Sequence, residues 1–258
     1  MRQRTKIHTS ALGMFALSFL LMPAWSAKAQ EKKAQNSAVV PSPRMSMMPD
    51  PNWMKRHQAF VAMAQKGNID LLFLGDSITD AWGGEGHGNS AGANVFAKEF
   101  ERFKTANFGI GGDQTQHVLW RLQHGELEGI HPKAVMLMIG TNNTGGHSAE
   151  AIADGITAIV KEIPKRSPHT KILLLGIFPR GQKPNPLRDK IKQVNAIVSK
   201  LDDGGKTVKY LDIGDKFLEP DGSISKEIMP DALHLTEKGY QIWADAVKEP
   251  IAELLGIK

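Results

Sequence analysis

Ser77 follows the apolar run Leu71-Leu72-Phe73-Leu74 in the order Gly75-Asp76-Ser77. Glycine permits a sharp turn there, and a serine hydroxyl can stand at the start of the next helix, where a backbone N–H can face a developing anion. Taken alone, these residues would serve as well as a helix cap after a strand. A second cluster, Asn107-Phe108-Gly109-Ile110-Gly111-Gly112-Asp113, can expose backbone N–H groups at close approach. A dinucleotide loop would need a further glycine at position 114, which is Gln114, so a plain turn is the simpler alternative. A third, Gly140-Thr141-Asn142-Asn143, follows Val135-Met136-Leu137-Met138-Ile139 and offers side-chain amides that could donate to an oxyanion or cap a turn.

A serine nucleophile needs a base. Of nine histidines, His8 lies in the leader, and His57, His87, His117, His124, His131, His147 and His169 read singly as surface or structural residues. His234 differs, because Asp231-Ala232-Leu233-His234 sets a carboxylate three residues before the imidazole, just ahead of the last helix. In a turn, that spacing would let the carboxylate accept from the ring and fix its tautomer.

In this order, GDSIT at 75–79, NFGIGGD at 107–113, IGTNN at 139–143 and DALHL at 231–235 resemble the four blocks of the SGNH/GDSL hydrolases. Within that family the sequence is most similar to the catalytic subunits of intracellular platelet-activating-factor acetylhydrolase. The likeness runs on through QHVLWRL at 116–122 and FPRGQKPNPLR at 178–188, and spans about residues 70–255. The resemblance implies Ser77 as nucleophile, His234 as general base and then acid, and Asp231 as the orienting carboxylate. It places the oxyanion on the backbone N–H groups of Ser77 and Gly112 and the Asn142 amide, with no metal or organic cofactor. It further implies an α/β/α sandwich with a five-stranded parallel, flavodoxin-like sheet.

The elements that must position these residues follow from the hydrophobic pattern. Apolar runs at 69–74, 105–108, 134–139, 171–177 and 208–211 read as strands, alternating with helical periods at 53–65, 93–103, 115–122, 148–163, 187–201 and 237–255. In an open parallel sheet, ligands bind at the carboxyl ends of the strands, where the first three clusters fall. The glycine-rich stretch 82–92 reads as a loop of unassigned role.

The first 29 residues combine a basic start, an apolar stretch and Ala27-Lys28-Ala29, the pattern of a cleaved signal peptide leading to the periplasm or the exterior. The formal charge of +5 includes four cations and no acid in this leader, so the remainder carries +1 and gives no electrostatic reason to expect a nucleic-acid partner. Cysteine is absent, which excludes disulfides and thiolate chemistry, and no second membrane segment follows. Residues 30–50 read as a mobile linker, and the hydrolase domain is expected over 51–258.

The composite reading is an exported esterase acting on short-chain esters, acetyl above all, of small-molecule or carbohydrate alcohols. A carbohydrate O-acetylesterase is the alternative within that class, and an inactive envelope-binding module is the alternative outside it. The resemblance also leaves open a homodimer.

Overall fold

The computed structural model describes residues 35–44, 50–88 and 90–257. The expected signal peptide, residues 1–29, lies outside the described residues. Five parallel strands, β1 (Leu71–Gly75), β2 (Thr105–Asn107), β3 (Ala134–Met138), β4 (Lys171–Leu175) and β5 (Val208–Leu211), form one sheet in the order β2-β1-β3-β4-β5. This is the flavodoxin-like order, and the chain reverses its direction of travel across the sheet between β1 and β3. Leu71 to Gly75 pair in register with Ala134 to Met138, so the ends of the two strands open side by side at that switch point.

β1, β3 and, after Lys171, β4 are apolar along their length because both faces of the sheet are covered there. Leu72, Leu74, Val135, Leu137, Ile172 and Leu174 pack with α1 (Pro51–Lys66), α4 (Thr115–Arg121), α5 (Ala149–Arg166) and α6 (Pro186–Val198). Leu71, Phe73, Met136, Met138, Leu173 and Leu175 face α3 (Ala93–Glu99) and α7 (Glu237–Leu255). The remaining helix, α2 (Ser77–Asp80), is a single turn on the end of β1. The result is a three-layer α/β/α sandwich, as expected.

The helical pattern at 93–103 breaks at Phe100, and a 3-10 turn covers Glu101–Phe103. That at 187–201 likewise ends in a 3-10 turn over Ser199–Leu201. Hydrophobic spacing alone does not resolve such a tightening of the last turn.

The expected linker is corrected by the structure over residues 36–44, which lie on the domain, and Asn36–Lys258 form one unit. Ala38 is buried, its carbonyl accepts from Thr115 Oγ1 at 2.9 Å, and Asn36 Nδ2 donates to the Ala151 carbonyl at 3.1 Å. A Cβ on Gly155 would stand 2.8 Å from the Ala38 carbonyl oxygen, so the glycine opens the groove this strap occupies. The attachment uses scattered polar groups and one buried alanine, which leave no periodic apolar signature.

Beneath the carboxyl ends of β1 and β2, Arg121 is fully buried. Its Nη1 donates to the Phe108 carbonyl at 2.9 Å and to Glu126 Oε2 at 2.6 Å, and its Nη2 to the Gly75 carbonyl at 3.4 Å. Its Nε lies 2.9 Å from Asp113 Oδ2, in ion-pair contact but off hydrogen-bond geometry. Arg121→Met should therefore lower the free energy of unfolding by about 3–5 kcal/mol, because two carboxylates stay buried without their cation. Urea denaturation measures this, and a loss below about 1 kcal/mol would show that the cation does not hold the strand ends together.

Candidate active site

Ser77 is the first residue of α2, and the turn is built to present it. Asp76 caps the helix by accepting from the Ile78 N–H at 3.0 Å. Asn107 closes the other end, its amide donating to the carbonyls of Thr79 at 2.9 Å and Gly83 at 2.9 Å. Tyr240 Oη on α7 donates to the Ile78 carbonyl at 2.7 Å. Burial pushes the Asp76 carboxyl up to about 7, against the pull of the Ile78 N–H.

His234 reaches Ser77 from the turn before α7. Asp231 Oδ1 accepts from the Leu233 N–H at 3.0 Å and the His234 N–H at 2.7 Å, winding a tight turn in which Ala232 takes φ +57°. Its other oxygen lies 2.7 Å from His234 Nδ1, and His234 Nε2 lies 2.9 Å from Ser77 Oγ. With Nδ1 donating to the carboxylate, the lone pair of Nε2 faces the serine hydroxyl. Partial burial works to raise the Asp231 carboxyl, but the bonds from the His234 ring and the two N–H groups outweigh it and hold the group below the usual carboxylate range.

The side chains of His234 and Asp231 are 42% and 53% exposed. An ion pair so open to water contributes under about 1 kcal/mol to stability. Fold stability is thus a weak reason for this alignment, and activation of the hydroxyl is a sufficient one.

The glycine cluster curls beside Ser77. Among the described residues the N–H groups of Ser77 and Gly112 have no hydrogen-bond acceptor, and Gly112 takes φ +80°, a conformation that favours glycine. Asn142 stands in a 3-10 turn, Thr141–Asn143, at the end of β3. Its Nδ2 donates to the Asp113 carbonyl at 2.9 Å, which engages one amide hydrogen and leaves the other. The neighbouring Asn143 is structural, its Oδ1 accepting from the Thr115 N–H at 3.0 Å and so capping α4.

Beneath the cluster, Asp113 Oδ1 accepts from Trp53 Nε1 at 2.6 Å. Burial pushes the Asp113 carboxyl up to about 6, with the Arg121 guanidinium and the Trp53 indole drawing it back.

Sequence reasoning missed several supports of the site. Asp80, three residues after Ser77, accepts from the Gly111 N–H at 3.0 Å and meets Arg56 Nη2 at 3.0 Å. The loop 82–92 sends His87 inward, its Nδ1 2.6 Å from Asp80 Oδ1 and its Nε2 2.8 Å from the Asn107 carbonyl. Burial acts to raise the Asp80 carboxyl, but His87 and Arg56 hold it low. The acid at position 80 beside the serine block was the only signal available. A groove adjoining Asp231 is lined by Arg180, Gly181, Asn185, Leu187, Ala232 and Leu233. Among the described residues, no group of three or more His, Asp or Glu side chains is placed to hold a metal ion.

The family model described as GDSL-like Lipase/Acylhydrolase matches residues 73–242. Platelet-activating factor acetylhydrolase IB subunit alpha1 of Homo sapiens is 40% identical over 221 residues, covering 86% of this chain and 92% of that protein. Of solved structures, a GDSL-like lipase from Bacteroides thetaiotaomicron matches with a TM-score of 0.61 at 18% identity, over 77% of this chain and 97% of the other. A carbohydrate acetylesterase from Sinorhizobium meliloti matches at 0.54 and 19%, over 72% and 99%. At these identities the two structures show a shared fold.

Asp231→Asn would keep the turn but present an amide to His234 Nδ1, and with it the wrong tautomer to Ser77. Turnover of an activated ester is expected to fall by about 10³ to 10⁴ with an unchanged thermal midpoint. A loss under tenfold, measured in steady state, would remove Asp231 from this role.

Proposed function

The chain belongs to the GDSL-like lipase/acylhydrolase family and is a carboxylic ester hydrolase, and from that premise we propose that Ser77, His234 and Asp231 form its catalytic triad. The observation that carries the reading is the continuous relay of 2.9 Å and 2.7 Å contacts at the carboxyl end of β1. Ser77 Oγ attacks the ester carbonyl carbon while His234 Nε2 takes its proton, and Asp231 stabilises the imidazolium. The N–H groups of Ser77 and Gly112 and the second amide hydrogen of Asn142 receive the tetrahedral oxyanion. Collapse breaks the bond to the alcohol, which leaves with the proton from His234. Water then repeats the sequence on the acyl-enzyme and returns free Ser77 and the acid. The scheme draws on these side chains and N–H groups alone, with no cofactor.

For the acyl half we propose acetyl or similarly short groups, supported by the 40% identity to the human acetylhydrolase subunit over 221 residues. For the alcohol half, the groove beside Asp231 offers Arg180 and Asn185 together with Leu187 and Leu233. Such a mixed lining suits a polar alcohol such as an acetylated sugar, and a carbohydrate acetylesterase shares the fold. Export completes the proposal, on the basic start, apolar stretch and Ala27-Lys28-Ala29 of the leader.

Ser77→Ala should lower turnover by on the order of 10⁶ with the fold intact. Retention of more than a few per cent in a clean preparation would exclude Ser77 as nucleophile. Across nitrophenyl acetate, butyrate, octanoate and palmitate, kcat/KM of the parent enzyme should fall with length. A long-acyl channel would instead gain roughly 0.8 kcal/mol per buried methylene, so a maximum at octanoate or beyond refutes the short-acyl proposal. Amino-terminal sequencing of the mature protein from its native compartment should begin at Gln30, and full-length chain in the cytoplasm would overturn export.

A further inference from the structure

Arg44, at the end of the docked strap, touches the glycine loop from outside. Its backbone is anchored on both sides: the Ser42 N–H donates to the Gln116 carbonyl at 3.3 Å, and the Asp50 N–H donates to the Arg44 carbonyl at 3.1 Å. The side chain reaches inward, Nη1 donating to the Gly111 carbonyl at 2.6 Å, while Nε stays 3.7 Å from Asp50 Oδ2. The guanidinium covers Gly112 so closely that a Cβ there would lie 3.0 Å from Nη1 and 3.2 Å from Cζ.

The Gly111 carbonyl and the Gly112 N–H belong to one peptide group. We propose that Arg44 is a positioning residue for ester hydrolysis, which sets the orientation and the donor strength of the Gly112 N–H through the far side of that peptide. This rests on the reading of Gly112 as an oxyanion donor.

Two physical effects act together. A charge-assisted bond to the carbonyl oxygen draws electron density across the amide and makes its N–H a stronger donor. The same bond resists rotation of a peptide flanked by two glycines, where backbone freedom is greatest. Asp80 holds the preceding peptide from the opposite side through the Gly111 N–H at 3.0 Å. The donor is therefore aimed before substrate arrives, and a donor that need not reorganise acts mainly on the transition state. The strap, 33 residues before the nucleophile in sequence, thereby becomes part of the catalytic apparatus.

The test compares Arg44→Ala, Arg44→Lys and Ser77→Ala with the parent enzyme on nitrophenyl acetate. In Arg44→Ala, kcat should fall about 10- to 100-fold while KM stays within about twofold, since the interaction lost is felt in the transition state. Arg44→Lys, which keeps a cationic donor, should recover part of the loss, as should millimolar guanidinium added to Arg44→Ala. The thermal midpoint should move by no more than about 2 °C, because the residue is half exposed.

An unchanged kcat in Arg44→Ala overturns the proposal. So does a rise in KM alone, which would make Arg44 a ground-state substrate contact. A lowered kcat with a collapsed midpoint and no recovery by lysine or guanidinium overturns it as well, leaving a structural role. Activity in Ser77→Ala would instead sink the triad reading, and it is told apart because it appears whatever residue stands at 44.

Discussion

The buried guanidinium of Arg121 joins what the sequence keeps far apart. It bonds the carbonyls of Gly75 and Phe108, at the ends of β1 and β2, and lies against Asp113 at the close of the glycine cluster. Desolvating one cation and two carboxylates is costly, and a packed apolar group could match or exceed them in stability. What an apolar group could not supply is direction: a planar donor set that fixes two strand ends and one loop in a single arrangement. Ser77 stands on one of those ends and Gly112 on the loop, so the distance between the proposed nucleophile and the proposed oxyanion donor depends on this ion. Glu126, held by Arg121 and 3.0 Å from His57 Nδ1, extends the same network to α1.

Around that fixed centre the site is assembled from short-range devices. Asp76 and Asn107 close the two ends of the helical turn bearing Ser77, and Asp231 winds its own turn while orienting His234. Asp76, Asn107, Asn142, Asn143 and Asp231 each hold backbone groups in place, and the blocks read as units for that reason. The chemistry is divided the same way. In the proposed chemistry the unpaired N–H groups of Ser77 and Gly112 receive negative charge beside the end of β1, while the groove near Arg180 takes the alcohol.

Most of this was legible in sequence where a signal is local. Short runs of four to seven residues marked the five strands, and the three-residue spacing of Asp231 and His234 anticipated the turn that joins them. The same reading failed where contacts are made by backbone atoms across long separations. Residues 36–44 look like linker because their hold on α4 and α5 uses carbonyl and amide groups with one buried alanine. His87 looked like a loop residue because nothing nearby in sequence reveals Asp80 and the Asn107 carbonyl as its partners. Arg44 escaped notice for both reasons.

Activation of Ser77 by His234, in a site prepared for an oxyanion, can be probed with a phosphonate ester. Attack by the activated hydroxyl breaks the bond to the phosphonate's leaving alcohol and gives a stable tetrahedral phosphonyl-serine that resembles the acylation transition state. Peptide mapping by mass spectrometry after such treatment should find the adduct on Ser77 alone, formed in the parent enzyme and at least about 10³-fold more slowly in His234→Ala. Modification of another serine, or an equal rate on Ser77 without His234, would contradict the account.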